Sequence, residues 1–113
     1  MRGFGLTVEE LDGDAVRVAL HGELDLEHAY MFDAELRRLE ERGARKIVLD
    51  LRELGFLDSC GLARLLAAHR RGRRAGRRVV LVRGSAAVQR LFALTAVDES
   101  FDIVGDVPAA LAR

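Results

Sequence analysis

Ile47-Val48-Leu49-Asp50-Leu51, then residues 52–57, then Asp58-Ser59-Cys60-Gly61-Leu62 form the stretch whose reading decides the fold. The first five residues are an apolar run rich in β-branched side chains, which suits a strand. The pattern breaks at Gly55, and leucines at helical spacing begin after Asp58. The stretch therefore reads as a strand over 47–51, a short loop over 52–57 and a helix from Ser59. Asp58 stands where its carboxylate can accept from the free N–H groups of the first turn. Ser59 and Cys60 then fall beside the positive end of the helix dipole, where an added phosphate is stabilised locally. Ser59 is thus a candidate for regulatory modification, although on the local pattern alone the reading of Asp58 and Ser59 as plain capping residues is preferred.

Working outward, Phe4, Leu6 and Val8 alternate with small or polar residues, and so do Val16, Val18 and Leu20. Asp12-Gly13-Asp14 between them is a turn signal, so the two runs make a β-hairpin. Ala29, Phe32, Leu36 and Leu39 recur at helical spacing within 27–42, with Gly43 as the C-cap. The helix that opens at Ser59 runs to 74, with Leu62, Leu65, Leu66 and His69 on one face and Gly76 beyond its end. Val79-Val80-Leu81-Val82 is a continuous apolar run, as expected of a strand covered on both faces. A third helix is read over 86–94 and a short strand over 101–104, and Asp106 with Pro108 signals a last helix start. The order is ββαβαβαβα. Strands that alternate with helices need crossover connections, so the expected fold is α/β, a mostly parallel sheet with helices packed on it.

The chain of 113 residues is the size of one domain, taken here as 1–113. Half the residues are apolar, the formal net charge is zero and there is one cysteine. Zero net charge gives no bias toward nucleic acid or anionic membrane. No apolar run approaches the roughly 20 residues that span a bilayer, and the first residues lack the pattern of a secretion signal. A lone cysteine suits a reducing compartment, so a cytoplasmic location is expected.

Three segments carry a resemblance that covers essentially the whole chain. They are Gly22-Glu23-Leu24-Asp25, the stretch from Val48 to Leu62, and Ala87-Val88-Gln89-Arg90-Leu91-Phe92 leading into Leu94-Thr95-Ala96-Val97. In this order and spacing they resemble a STAS domain of the anti-sigma factor antagonist family. The resemblance implies partner switching. The unmodified protein binds an anti-sigma factor that is also a serine/threonine kinase, and the sigma factor is freed. Phosphorylation of the serine after the aspartate, here Ser59, blocks binding, and a phosphoserine phosphatase restores it. It further implies a docking surface made of Glu23, Asp25, Asp58, Ser59, Cys60, Gly61 and Leu62. The family usually carries a hydroxyl residue where this chain has Cys60. No cofactor is implied, since ATP belongs to the kinase and this chain has no GxxxxGK[ST] loop. The alternative within the same fold is a module of another complex, such as a lipid transport system or a signalling scaffold.

Other features yield to simpler readings. Glu23 and Asp25 are two carboxylates on one loop, but Asp25 reads as the cap of the first helix, not as an acid or base. His21, His28 and His69 lack metal-ligand spacing, and His69 reads as a packed histidine. Cys60 reads as a small residue tucked under its helix, not a redox sensor. Residues 69–78 concentrate six arginines. They stand at a helix C-terminus, where cations suit the dipole, and no aromatic is interleaved to stack on bases. A solvated basic helix end is preferred to a nucleic-acid site, with an acidic partner as a further option. No base stands near a nucleophile in a recognisable pattern, so no enzyme activity is expected.

Overall fold

Apolar alternation in the strands and the helical spacing between them produce one five-stranded sheet. The computed structural model describes residues 3–95 and 100–113. The elements are β1 (Phe4–Leu11), β2 (Ala15–Leu24), α1 (Ala29–Glu41), β3 (Lys46–Leu57), α2 (Ser59–Ala75), β4 (Arg78–Val82), α3 (Ala86–Thr95), β5 (Asp102–Val104) and α4 (Val107–Leu111). The sheet order is β1-β2-β3-β4-β5; β1 pairs antiparallel with β2 and every other pair is parallel. The expected α/β order is the observed one. Ala96 and Val97 of the third motif lie outside the described residues. Among the described residues no helix is long and apolar enough to cross a membrane.

The sheet is buried unequally on its two faces. Val18, Leu20, Ile47, Leu49, Leu51 and Leu81 join Phe32, Leu36, Leu65, Val88 and Phe92 from α1, α2 and α3 in the main core. Val48, Val80, Val82 and Val104 form a smaller cluster with Ala110 of α4. Alternate residues of β4 therefore serve both cores, which is why that strand reads as an unbroken apolar run.

Two expectations need correction. The segment 52–57 is not a loop: β3 continues through it to Leu57, paired with β2 as far as Leu24↔Leu57. The ladder jumps from Ala19↔Asp50 to His21↔Glu53, and again from Gly22↔Leu54 to Glu23↔Phe56, so β3 carries an extra residue at each bulge. Each bulge resets the in–out alternation. Burial then falls on Leu51, Leu54 and Leu57, a spacing of three that no strand template matches. The first helix begins at Ala29 instead of residue 27, and His28, not Asp25, is its N-cap residue.

The arginine-rich end of α2 is also more than a solvated face. Arg71 lies under α1, where its guanidinium grips Glu40 with Nε at 2.9 Å and Nη2 at 2.9 Å, and reaches Asp33 with Nη1 at 3.2 Å. Arg77 donates to the carbonyl of Ala44 at 3.0 Å. Gly72 permits this approach, since a Cβ there would lie 2.8 Å from the Arg77 carbonyl oxygen. The pattern of arginines at a helix end does not reveal which ones are turned inward.

On the opposite face, buried Asp50 (2% exposed) is clasped by Arg17 and Arg52, with Arg52 Nη2 at 2.7 Å and Arg17 Nη2 at 2.9 Å. Burial alone would raise the Asp50 carboxyl, but hydrogen bonds from Arg52 and Arg17 outweigh it and hold the group below the ordinary value. Asp33 is likewise lowered: burial opposes the shift, and Arg37 and Arg71 override it. A carboxyl depressed in the folded state contributes stability that is present above its unfolded pKa of about 3.9 and is lost as pH falls through the folded value. The melting temperature should therefore fall on acidification below about pH 4. Asp50→Asn should melt lower than wild type at neutral pH and show a shallower acid dependence. An identical acid profile for wild type and variant would refute the assignment.

Candidate functional site

Parallel strands β2 and β3 end side by side, so the loops that leave them meet at the carboxyl edge of the sheet, where open α/β sheets place their sites. Asp58 joins the two loops. One carboxylate oxygen accepts from the Gly61 N–H at 2.9 Å and caps α2, as expected; the other accepts from the Leu26 N–H at 3.2 Å. The Asp58 N–H donates to the Leu24 carbonyl at 3.3 Å. Gly61 makes the approach possible, because a Cβ there would lie 2.4 Å from the Leu24 carbonyl oxygen and 2.7 Å from Leu57. Removing the Asp58 carboxylate costs α2 its cap and frees the Leu26 loop. Asp58→Ala is expected to lower stability by about 1–2 kcal/mol, read in a thermal melt. A variant that melts as wild type does would mean that the cap is idle.

Asp25 closes the turn ahead of α1. Its Oδ1 accepts from the His28 N–H at 3.2 Å and lies 2.7 Å from His28 Nδ1. Partial burial would raise this carboxyl, yet the two contacts to His28 hold it below the ordinary value. His28, which sequence spacing did not group with Asp25, also has Nε2 at 3.7 Å from Glu27. Ligand atoms of Asp25, Glu27 and His28 lie within 4.8 Å of one another, but the close Asp25–His28 contact occupies Nδ1, so the trio reads as a loop clasp.

Ser59 is exposed in the first turn of α2, and Cys60 beside it is partly covered. Gly61 and Leu62 are buried, Leu62 to 5% exposure. The seven residues named from the sequence thus divide. Glu23, Asp25, Asp58, Ser59 and Cys60 reach the surface of this edge to differing extents, whereas Gly61 and Leu62 face the core and set the helix on the sheet. A groove of about 460 Å³ reaches Asp58, the residue before Ser59, and is lined by Glu23, Asp25, Leu26, Glu27, Phe56 and Asp58. A second of about 240 Å³ shares Phe56 and extends to Leu94 on α3.

The apolar rim of these grooves was missed by sequence reading. Leu26 is 65% exposed, Phe56 47% and Leu94 76%. In sequence these letters look like core residues; only their positions at strand ends and on outer helix faces turn them outward. Clustered exposure of large apolar side chains marks an interaction surface. Four carboxylates, of Glu23, Asp25, Glu27 and Asp58, line the same groove. The arrangement suits docking of a partially apolar surface and disfavours added negative charge.

Residues 7–105 match the family model described as "Mlab, STAS domain". The anti-sigma factor antagonist BtrV of Bordetella bronchiseptica is 28% identical over 107 residues, covering 95% of this chain and 91% of BtrV. The crystal structure of an anti-sigma factor antagonist from Mycobacterium paratuberculosis is 28% identical and superposes with a TM-score of 0.83, covering 97% of this chain and 92% of that one. A Thermotoga maritima structure at 24% identity has the same fold, with a TM-score of 0.88 over 95% of this chain and 92% of its own. With a family match across nearly all of the sheet and its helices, the chain belongs to the STAS domain family, as a member similar to anti-sigma factor antagonists.

Proposed function

We propose that this protein is a phosphorylation-controlled antagonist whose unmodified form binds an anti-sigma factor kinase through the edge around Ser59. The observation that carries the reading is that exposed Ser59 directly follows Asp58, which lines a groove that is both apolar-rimmed and rich in carboxylates. Leu26, Phe56 and Leu94 supply apolar area of the kind that anchors interfaces. Glu23, Asp25 and Asp58 lie on the same surface and steer a basic partner. A phosphoserine adds about −1.5 to −2 charge. Beside four carboxylates that charge is repelled, and inside an interface it must also be desolvated. At the first turn of α2 the fold itself tolerates it. Phosphorylation then switches binding off, a phosphatase switches it on, and the protein needs no chemistry of its own.

The test is labelling by the cognate kinase with ATP. Wild type should be labelled stoichiometrically and Ser59→Ala not at all. Label that persists in the variant, for instance on Thr95 or Ser85, would overturn the assignment of the acceptor.

A further inference from the structure

Far from Ser59, at the other end of α2, a second concave surface has a different character. α2 has 17 residues and so spans about 25 Å. Beyond its middle a cavity of about 380 Å³ is lined by His69, Arg73, Arg77, Arg78, Ser100 and Asp102, with Phe101 behind them. A water's share of liquid volume is about 30 Å³, so the space is ample for a di- or triphosphate.

The charges around it do not balance among the described residues. Arg78 pairs with Asp102 at 3.0 Å, and Arg113 shares that carboxylate at 3.3 Å. Arg77 is 3.9 Å from Glu40, a carboxylate already held by Arg71. Arg73 is exposed and makes no hydrogen bond or ion pair with any described residue. Three guanidiniums thus line one cavity with one lining carboxylate. Asp98 and Glu99, which precede Ser100 in sequence, lie outside the described residues and are not counted.

His69 adds a polar group in want of a partner: its Nδ1 is buried with no hydrogen bond to any described residue. Burial first, then the charges of Arg73 and Arg70, push this imidazole below its ordinary value, with Asp102 opposing. An anion in the cavity would offset the Arg73 and Arg70 charges and so favour the protonated His69 ring.

We propose that this cavity is a binding site for an oxyanion of the phosphate class, held by the Arg73 guanidinium with help from Arg78, the Ser100 hydroxyl and the His69 ring. Guanidinium forks match phosphate oxygens in geometry as well as charge. The site recognises the phosphate and not a base. Phe101 stacks on Phe92 at 5.5 Å and lies 5.6 Å from His69, and at 7% exposure it offers no free platform to a nucleobase. Guanidiniums that share one cavity, instead of forming a row, also favour a small anion over an extended acidic chain.

The test is a titration of the full chain, isotope-labelled, with inorganic phosphate, pyrophosphate and ADP at constant ionic strength, followed by NMR. Pyrophosphate should produce saturable shifts at the His69 ring and at the amides of Ser100 and Phe101, and should move the His69 titration midpoint upward. ADP should bind about as tightly as pyrophosphate. Arg73→Gln should weaken binding about tenfold or more while melting as wild type does, and Arg83→Gln, at a distant surface arginine, should leave it unchanged. Shifts that do not saturate, or an Arg83→Gln loss equal to that of Arg73→Gln, would reduce the effect to general charge and overturn the site. ADP binding without pyrophosphate binding would overturn phosphate recognition. Saturable binding of a poly-glutamate peptide but not of pyrophosphate would replace it with an acidic protein partner. None of these outcomes depends on the role of Ser59.

Discussion

Ser59→Asp should melt within a few degrees of wild type and yet lose most of its affinity for the proposed partner, an anti-sigma factor kinase. The two halves of this result have separate causes. In the first turn of α2 a negative charge meets the positive end of the helix dipole, an effect of about 0.3–1 kcal/mol at exposed sites. Asp58, which caps the same turn at 2.9 Å from the Gly61 nitrogen, offsets part of that gain. The fold is therefore nearly indifferent. The interface is not, because the added charge must be desolvated beside Glu23, Asp25, Glu27 and Asp58. Truncating or mispairing a charge inside an interface costs about 2–5 kcal/mol, so affinity should fall at least about thirtyfold. Aspartate carries about half the charge of a phosphoserine, so the phosphorylated protein should be weaker still. A thermal melt beside a binding titration of wild type, Ser59→Ala and Ser59→Asp decides the matter. If the Asp variant loses binding only together with a large loss of stability, the charge breaks the fold and the surface switch must be abandoned.

The largest loss of stability is expected from Arg71→Ala. Arg71, Asp33 and Glu40 have side chains only 16%, 13% and 10% exposed, so truncating the arginine leaves Glu40 with Arg77 alone at 3.9 Å and Asp33 with Arg37 alone, where water barely reaches. Removing one partner of a buried ion pair costs about 3–5 kcal/mol; partial solvent access places this network near the lower end. Against a total stability of roughly 5–15 kcal/mol the change is severe, and the midpoint should drop by more than about 10 °C. Much of that loss is the stranding of charge, not the worth of the pair. Arg71→Met combined with Glu40→Leu and Asp33→Asn should therefore recover a substantial part of it. An Arg71→Ala protein that melts within about 3 °C of wild type would show that the network does not hold α1 to α2.

Much of the site was legible in local sequence because its causes are local. An aspartate before a run of helix-spaced leucines caps a helix wherever it occurs, and Asp58 does so; Asp106 does the same for α4, accepting from the Ala109 N–H at 2.8 Å. Gly76 ends α2 at φ 74°, a conformation that glycine adopts without strain. Alternating and continuous apolar runs distinguished β1 and β2 from β4. Asp25 was misread as the cap of α1 because an acidic residue just ahead of a helix fits a cap and a preceding turn equally well. The turn won because His28 supplies both of its partners.

By itself the sequence determined the order of elements, the parallel character of the sheet, the start of α2 and the presentation of Ser59 on its first turn. Each of these follows from hydrogen bonds and side-chain periods within a few residues of chain. Only the tertiary structure decided that β3 continues through 52–57, because the bulges that shift its alternation exist only against β2. It alone brought the Leu26 loop onto the second oxygen of Asp58, turned Phe56 and Leu94 outward, and sorted the arginines into the largely covered Arg71 and the exposed Arg73. Those outcomes depend on residues far apart in sequence meeting across the sheet. The same letter is core or surface, clasp or free charge, according to what the fold places opposite it.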